Sequence, residues 1–507
     1  MAEPPSRAHS AGRTARRALA AGALLLLLVH HFGFFYGHFG YDDLHYARLA
    51  TRLLDGSTDW GDHYAYRLAL TGPLAVLYAL FGVSDFVSAL PALLSSAGLV
   101  LALAYFLRER PPWVYLLALA LFFSLRWNLF YSDKIMTDVL VGAAVFGAWV
   151  AYWRARFAGA RVGPSAALAA TLLFVAFNAK GTIILVVPLF VVYLLLDWRA
   201  GFRRWWLVFA PAVGVMLLLY FGLTARALGD PLARFAAIDA NHYLNECSYD
   251  ELPWAHLRDR LTTGFLELLL NSRLIVHLLI GLVAGLAWLG GRGRGSRAGE
   301  GRLLLTVAVC FLSANFMTIS PTSYNPVCLD ERHHILFSGI LSASAAALVG
   351  ALFPAGFVRR RGGLLGAVLL LAVAALLYPT LRQAAAGPAL GYRRVRAEFR
   401  QLLGELPRPV TVYGNEALRN YADYWTGFAS DPDLSFANLN ALPDCNAPAT
   451  PADDRERLLL SNWYVDWHGR VSRDSVATAL DRRGLSAGPP AEYGTESITV
   501  RPLACRP

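Results

Sequence analysis

The run ALAAGALLLLLVHHFGFFYGHFGYDDLHYAR, residues 18–48, sets an acidic pair, Asp42-Asp43, directly after the first long apolar stretch. Its apolar part, Ala18 to about Tyr36, has roughly the 17 to 25 residues that a crossing helix needs. Arg7, Arg13, Arg16 and Arg17 precede it. The positive-inside rule therefore puts residues 1–17 in the cytoplasm as a short N-terminal tail, with the acidic pair just beyond the far membrane face. A cleavable signal is the competing reading. Aromatic residues and His30-His31 stand where a small-residue cleavage site belongs, which favours an uncleaved anchor. The two histidines read as an interfacial pair, because no acidic or Cys ligand stands at metal-ligand spacing.

The rest of the chain supports a membrane assignment. Of 507 residues, 56% are hydrophobic and only 16% charged, and the mean hydropathy is positive. A soluble domain of this size does not need so much apolar surface, so the fold class is an α-helical polytopic membrane protein. The net charge of +10 would suggest nucleic acid if it were clustered on a soluble face, but most arginines lie in short spacers between apolar runs, where they orient helices.

After a polar loop to about Arg67, Leu68–Phe81 is interrupted by Gly72-Pro73 and reads as an interfacial helix. Spans follow at about 86–107, 113–130, 136–153, 166–178, 182–196, 205–223, 274–289, 303–319, 335–353 and 364–378, which with the first makes about eleven crossings. Arginines fill every second spacer, as at Arg154, Arg156 and Arg161 or Arg359, Arg360 and Arg361. The others are acidic, mixed or long. Eleven crossings put residues 18–380 in the membrane body and residues 381–507 outside it, in a small extracytoplasmic α/β domain. That tail reads as helix 392–406, strand 409–413, helix 416–425, strand 458–465, helix 474–483 and strand 497–502. It carries no nucleophile, phosphate loop or metal spacing, and is expected to pack on the membrane body or help bind an acceptor. Cys247, Cys328, Cys445 and Cys505 fall in expected outside segments. Three pairings are open to them; the expected one joins Cys445 to Cys505 in the tail and Cys247 to Cys328 between loops.

Chemistry is expected at the outer face, where helix ends gather Asp42, Asp43, Asp133, Lys134, Asp138, Lys180, Asp330, Glu331, Arg332, His333 and His334. A charge at a helix end costs less than the ~3 kcal/mol of a bilayer-centre charge, so each alone reads as a solvated boundary. Their convergence on one face is the signal. Lys134 and Lys180 are the only lysines in a chain that otherwise uses arginine, and both lie on the side that the positive-inside rule disfavours. A lysine there suits a compact anion. Bland alternatives are pairing of Lys134 with Asp133 or Asp138, of Arg332 with Asp330 or Glu331, and snorkelling of Lys180.

In this arrangement the chain resembles the GT-C glycosyltransferases, among them protein O-mannosyltransferases and bacterial aminoarabinose transferases that use polyprenyl-phosphate donors. The resemblance rests on Asp42-Asp43-Leu44-His45-Tyr46-Ala47, which is similar to D-[DE]-x-x-Y-A after the first span, and on Thr71-Gly72-Pro73-Leu74 with Phe81-Gly82-Val83-Ser84. Asp138 opening a span, Lys180-Gly181 and Glu331-Arg332-His333-His334 extend it over most of residues 20–350. Gly72 replaces one proline of the family pattern, Thr182 another, and Asp43 stands where Glu is commoner.

The resemblance implies an inverting integral-membrane glycosyltransferase that moves a hexose or pentose from a polyprenyl-phosphate sugar in the bilayer to an extracytoplasmic glycolipid, polysaccharide or protein of the cell envelope. It implies Asp42 as base, with Asp43 orienting or charge-tuning it. Lys180 and Arg332, with His333 and Lys134 behind them, would hold the donor phosphate; Tyr46 and Asp138 would position substrate. No cofactor is firmly implied. A divalent metal is compatible with the acids and histidines, although no tight ligand spacing supports one, and nucleic acid is not an expected partner. A bacterial plasma membrane is the expected location. The alternative from another class, a multi-pass transporter or lipid flippase, predicts midplane charges and matching halves. A catalytically dead scaffold of the same fold is a third.

Overall fold

The computed structural model describes residues 7–240, 253–290, 297–318, 324, 326–353, 362–386, 391–429, 431–445, 455–461, 473–492 and 494–506. Helix dominates. Among the described residues, seven helices are long and apolar enough to cross a membrane: Gly12–Phe34, Asp85–Phe106, Val162–Ala179, Gly181–Arg199, Arg203–Leu228, Glu331–Leu352 and Gly366–Ala385. Two bent pairs raise the number to nine, Pro112–Ser124 with Arg126–Asp133 at 81° and Gly264–Asn271 with Leu274–Leu289 at 100°. The expected spans at 136–153 and 303–319 also form helices, Thr137–Phe157 and Arg297–Phe316. Charges in their end turns, Asp138, Arg154 and Arg156 in one and Arg297, Glu300 and Arg302 in the other, dilute their apolar character. Leu68–Phe81 is a helix of 14 residues with Pro73 inside it, about 21 Å long and short for a crossing.

The chain divides into two compact units. The first comprises Met1–His31, Asp59–Leu70 and Leu90–Ala384. Its centre is the helix Ile335–Leu352, packed on Pro112–Ser124, Thr137–Phe157, Leu274–Leu289 and Arg297–Phe316. Small residues let these helices approach closely, since apolar lipid supplies no solvent-driven force between them. A Cβ on Gly142 would stand 2.7 Å from the carbonyl oxygen of Ile335, and one on Gly339 would stand 2.7 Å from Leu99 Cδ2. Away from this seam a buried polar hub ties four helices. The Asp197 carboxylate accepts from Tyr152 Oη (2.7 Å), Arg302 Nη2 (2.9 Å), Trp206 Nε1 (3.1 Å) and Arg156 Nε (3.2 Å).

The second unit comprises Phe32–Thr58, Thr71–Ala89 and Ala385–Pro507. Its sheet holds β1 Val410–Gly414, β2 Leu434–Asn438, β3 Glu456–Ser461, β4 Leu485–Ala487 and β5 Thr499–Cys505, in the order β2-β1-β3-β5-β4. The first three run parallel; β5 pairs antiparallel with β3 and β4. Strands β2 and β4 were not expected: β2 is half-buried and partly polar, and β4 has three residues, too few to show alternation. The helices Tyr392–Glu405 and Glu416–Trp425 present their apolar faces at helical spacing, through Tyr392, Val395, Phe399 and Leu402 and through Leu418, Tyr421, Ala422 and Trp425. Asn415 caps the second by accepting from Leu418 N. Cys445 and Cys505 form a disulfide. The other expected partner pair involves Cys247, which lies outside the described residues.

Candidate functional site

In the second unit the acidic pair opens the helix Asp42–Leu54, so both carboxylates sit where helical N–H groups point outward. The two have different surroundings. Asp43 is fully buried and accepts from the backbone N–H groups of Phe39 (2.5 Å), Leu44 (2.9 Å), Gly40 (3.1 Å) and Tyr41 (3.2 Å). It thereby fixes the turn that delivers Asp42, which is half-buried. Gly40 makes this turn at φ +84°, where a side chain would be strained, and a Cβ there would stand 2.9 Å from Ala417 Cβ. Tyr46, expected to line a substrate face, is wholly enclosed. Beneath the turn, His38 stands 3.6 Å from Asp43 Oδ2 through Nδ1 and 3.4 Å from Asp85 Oδ1 through Nε2.

The tail elements hold this segment. Asn420 Nδ2 donates to the Gly40 carbonyl at 2.8 Å, Arg48 Nη2 pairs with Asp423 at 2.7 Å, and the Tyr421 hydroxyl donates to the His38 carbonyl. Asp85 also accepts from Tyr392 Oη (3.1 Å) and pairs with Arg396. The helices Tyr392–Glu405 and Glu416–Trp425 thus pack, within one unit, on the segment that carries Asp42.

In the first unit a cationic cluster surrounds one carboxylate. Lys180 terminates the helix Val162–Ala179 in extended conformation, and Asp138 lies in the first turn of Thr137–Phe157. Lys180 Nζ donates to Asp138 Oδ1 at 2.7 Å. The other oxygen of Asp138 is buried and has no hydrogen-bond partner among the described residues. Arg332 and His333 act electrostatically on both Asp138 and Lys180, and Arg67 on Lys180. Arg332 N donates to Asp330 Oδ1 at 2.8 Å, which caps the short helix Glu331–His334 and aims that segment. Burial, with Arg332 and Arg67 nearby, holds the Lys180 ammonium below its ordinary range, against the opposing pull of Asp138.

Four residues singled out in the sequence, Asp138, Lys180, Arg332 and His333, therefore meet in one place. Arg67 was not singled out; as an arginine closing a loop expected outside, it carried the same signal as the lysines. His38 and Asp85 were also missed. Lys134 lies elsewhere: its ammonium is fully buried, 2.6 Å from Asp133 Oδ1, and Asp133 is flanked by His31 Nδ1 at 3.4 Å and His30 Nε2 at 3.8 Å. An anion reaching Lys134 would have to displace Asp133. Glu331 is engaged by Arg126 Nη2 at 2.8 Å and Nε at 3.0 Å.

No protein-family model matches the chain, and no curated protein does. Solved structures do. The chain is similar to a crystal structure of ArnT from Cupriavidus metallidurans in the apo state, with a TM-score of 0.57 at 15% identity over 97% of this chain and 98% of the other. It is also similar to the same protein bound to undecaprenyl phosphate, with a TM-score of 0.54 at 15% identity over 96% and 97% of the two chains. Over nearly its whole length, the chain shares the fold of these ArnT structures.

Proposed function

We propose that the protein is an integral-membrane glycosyltransferase that moves a sugar from a polyprenyl-phosphate donor to an extracytoplasmic hydroxyl acceptor. The observation that carries this reading is the pair of Lys180 and the half-satisfied Asp138, with Arg332 acting on both and Arg67 on Lys180. The structural neighbour bound to undecaprenyl phosphate supports the donor class, and the shared fold supports the membrane setting.

The acceptor oxygen attacks the anomeric carbon and the bond from that carbon to the phosphate oxygen breaks, inverting the centre. The electron pair leaves with the polyprenyl phosphate, and the acceptor proton passes to a base. We assign that base to Asp42, since Asp43 spends both oxygens on the turn. Lys180, Arg332 and Arg67 offset the charge that develops on the departing phosphate, with His333 beside them. The open oxygen of Asp138 accepts from a donor-sugar hydroxyl. The domain limits expected from sequence, a membrane body followed by an extracytoplasmic tail, belong to the same reading.

The test is full-length protein in lipid nanodiscs, supplied with radiolabelled polyprenyl phosphates carrying an aminopentose, mannose or glucose and with envelope glycolipid extract. Label should move to the acceptor fraction in wild type but not in Asp42→Asn. Passage of labelled lipid or solute across a reconstituted bilayer, with no transfer of label, would instead support a transporter or flippase.

A further inference from the structure

We propose that His38, held between the carboxylates of Asp43 and Asp85, is a positioning residue whose imidazolium fixes the turn that presents Asp42 and sets an alkaline limit to transfer; the inference rests on the role assigned to Asp42. His38 is fully enclosed. The groups that face it come from every element around it: Asp43 from its own turn, Asp85 from the start of the helix Asp85–Phe106, and Tyr424 Oη at 3.1 Å from Glu416–Trp425. Tyr421 bonds its carbonyl, the rings of Phe35 and Tyr392 pack against it edge-on, and Arg396 and Tyr392 reach Asp85. Tyr78 and Tyr424 both bond Ser88 behind this group.

The charges balance only with the proton on. Asp43 and Asp85 face two cations, the His38 imidazolium and Arg396. The charged ring then stands between the two carboxylates, its Nδ1 3.6 Å from Asp43 Oδ2 and its Nε2 3.4 Å from Asp85 Oδ1 and 3.1 Å from Tyr424 Oη. A neutral ring takes away the positive charge between two buried carboxylates, and the cluster acquires a net negative charge. Burial alone would lower the affinity of the imidazole for its proton, but Asp43 and Asp85 outweigh burial and raise its pKa above 6.5. Since Asp43 also holds the Phe39, Gly40, Tyr41 and Leu44 amides, deprotonation loosens the turn one residue from Asp42.

Two readouts on the full-length protein in nanodiscs test this. Hydrogen exchange of the Phe39–Leu44 amides, corrected for intrinsic base catalysis, should lose protection by about tenfold per pH unit as the pH rises through the His38 transition. His38→Gln should remove the step. Arg396→Gln, outside the substrate chemistry, should move it to higher pH, because Asp85 then holds the His38 proton more firmly. Sugar transfer should lose kcat along the same step with donor KM unchanged. A wild-type protection profile with no step, or an Arg396→Gln profile with the step unmoved, overturns the imidazolium link whether or not sugar is transferred. A step in protection with no matching fall in kcat overturns the alkaline limit. A protein that shows the step but transfers no sugar keeps the link and sinks the function assigned to Asp42.

Discussion

Lys180 Nζ lies 2.7 Å from Asp138 Oδ1, and the second oxygen of that carboxylate, although buried, has no hydrogen-bond partner among the described residues. A buried carboxylate seldom leaves an oxygen unmet, because the desolvation penalty of an unsatisfied polar atom is about 1–3 kcal/mol. The pair suits a ligand that brings both an anion for the ammonium and a hydroxyl for the carboxylate. A glycosyl phosphate has both. Asp138→Asn should therefore raise the KM for the glycosylated donor by about tenfold or more while leaving the affinity for undecaprenyl phosphate alone unchanged or tighter, since a repelling charge has gone. Isothermal titration with the two lipids separates these effects.

Lys180 itself should matter to both lipids. A charge-assisted contact to phosphate contributes about 1.5–3 kcal/mol, so Lys180→Ala should weaken undecaprenyl phosphate binding by roughly 10- to 150-fold, with Lys180→Arg intermediate. Lipid titration by intrinsic tryptophan fluorescence measures it.

The same ammonium gives binding a pH dependence whose sign is fixed. Burial and the neighbouring Arg332 and Arg67 lower the Lys180 pKa in the free protein, and only the charged form attracts phosphate. Affinity for undecaprenyl phosphate should thus fall as the pH rises through this lowered value, earlier than an ordinary lysine would allow. In Lys180→Arg the decline should disappear over the same range, because guanidinium keeps its proton.

Much of this arrangement was legible in the sequence, for identifiable reasons. The apolar runs and the arginine spacers fixed the order of the helices, and that order put Asp138, Lys180, Arg332 and His333 at helix ends expected on one face. The tail helices were legible because their buried residues recur at three, four and seven positions. What was not legible depends on contacts between distant segments. Asp85 opens an apolar helix and reads as a solvated boundary charge; only its approach to His38 and Arg396, from three separate stretches, makes it part of a network. Asp42 and Asp43 are adjacent and chemically equal in sequence. The four backbone donors that occupy Asp43 separate them.

That separation is measurable. Asp42→Asn should leave thermal stability within about 0.5 kcal/mol of wild type, as befits a half-buried position at a helix start, yet reduce transfer by about 100- to 10,000-fold, the span of a lost general base. Asp43→Ala should do the reverse in origin: it strands four backbone donors and His38, so it should cost about 3–5 kcal/mol and lose activity through unfolding of the turn. Asp43→Asn, which keeps an acceptor oxygen, should recover part of the loss. Thermal unfolding and transfer assays on the three variants decide between two catalytic acids and one acid with its support.

The Asp197 hub provides a prediction independent of catalysis. Its carboxylate is fully buried and serves Tyr152, Arg156, Trp206 and Arg302, which belong to three helices other than its own. Arg302 is itself largely buried, with 9% of its side chain exposed, so it has little water to turn to when the carboxylate is removed. Asp197→Ala should destabilise the protein by about 3–5 kcal/mol, the cost of breaking a buried pair from one side. Replacing both partners, as in Asp197→Leu with Arg302→Met, should recover much of that, because no buried charge is then left unpaired in that pair. Arg156, with 25% of its side chain exposed, can turn toward solvent and needs no replacement. Denaturant unfolding of the two single variants and the double variant in mild detergent gives the coupling directly, and simple addition of the two single losses would show that the Asp197–Arg302 contact is not what holds these helices together.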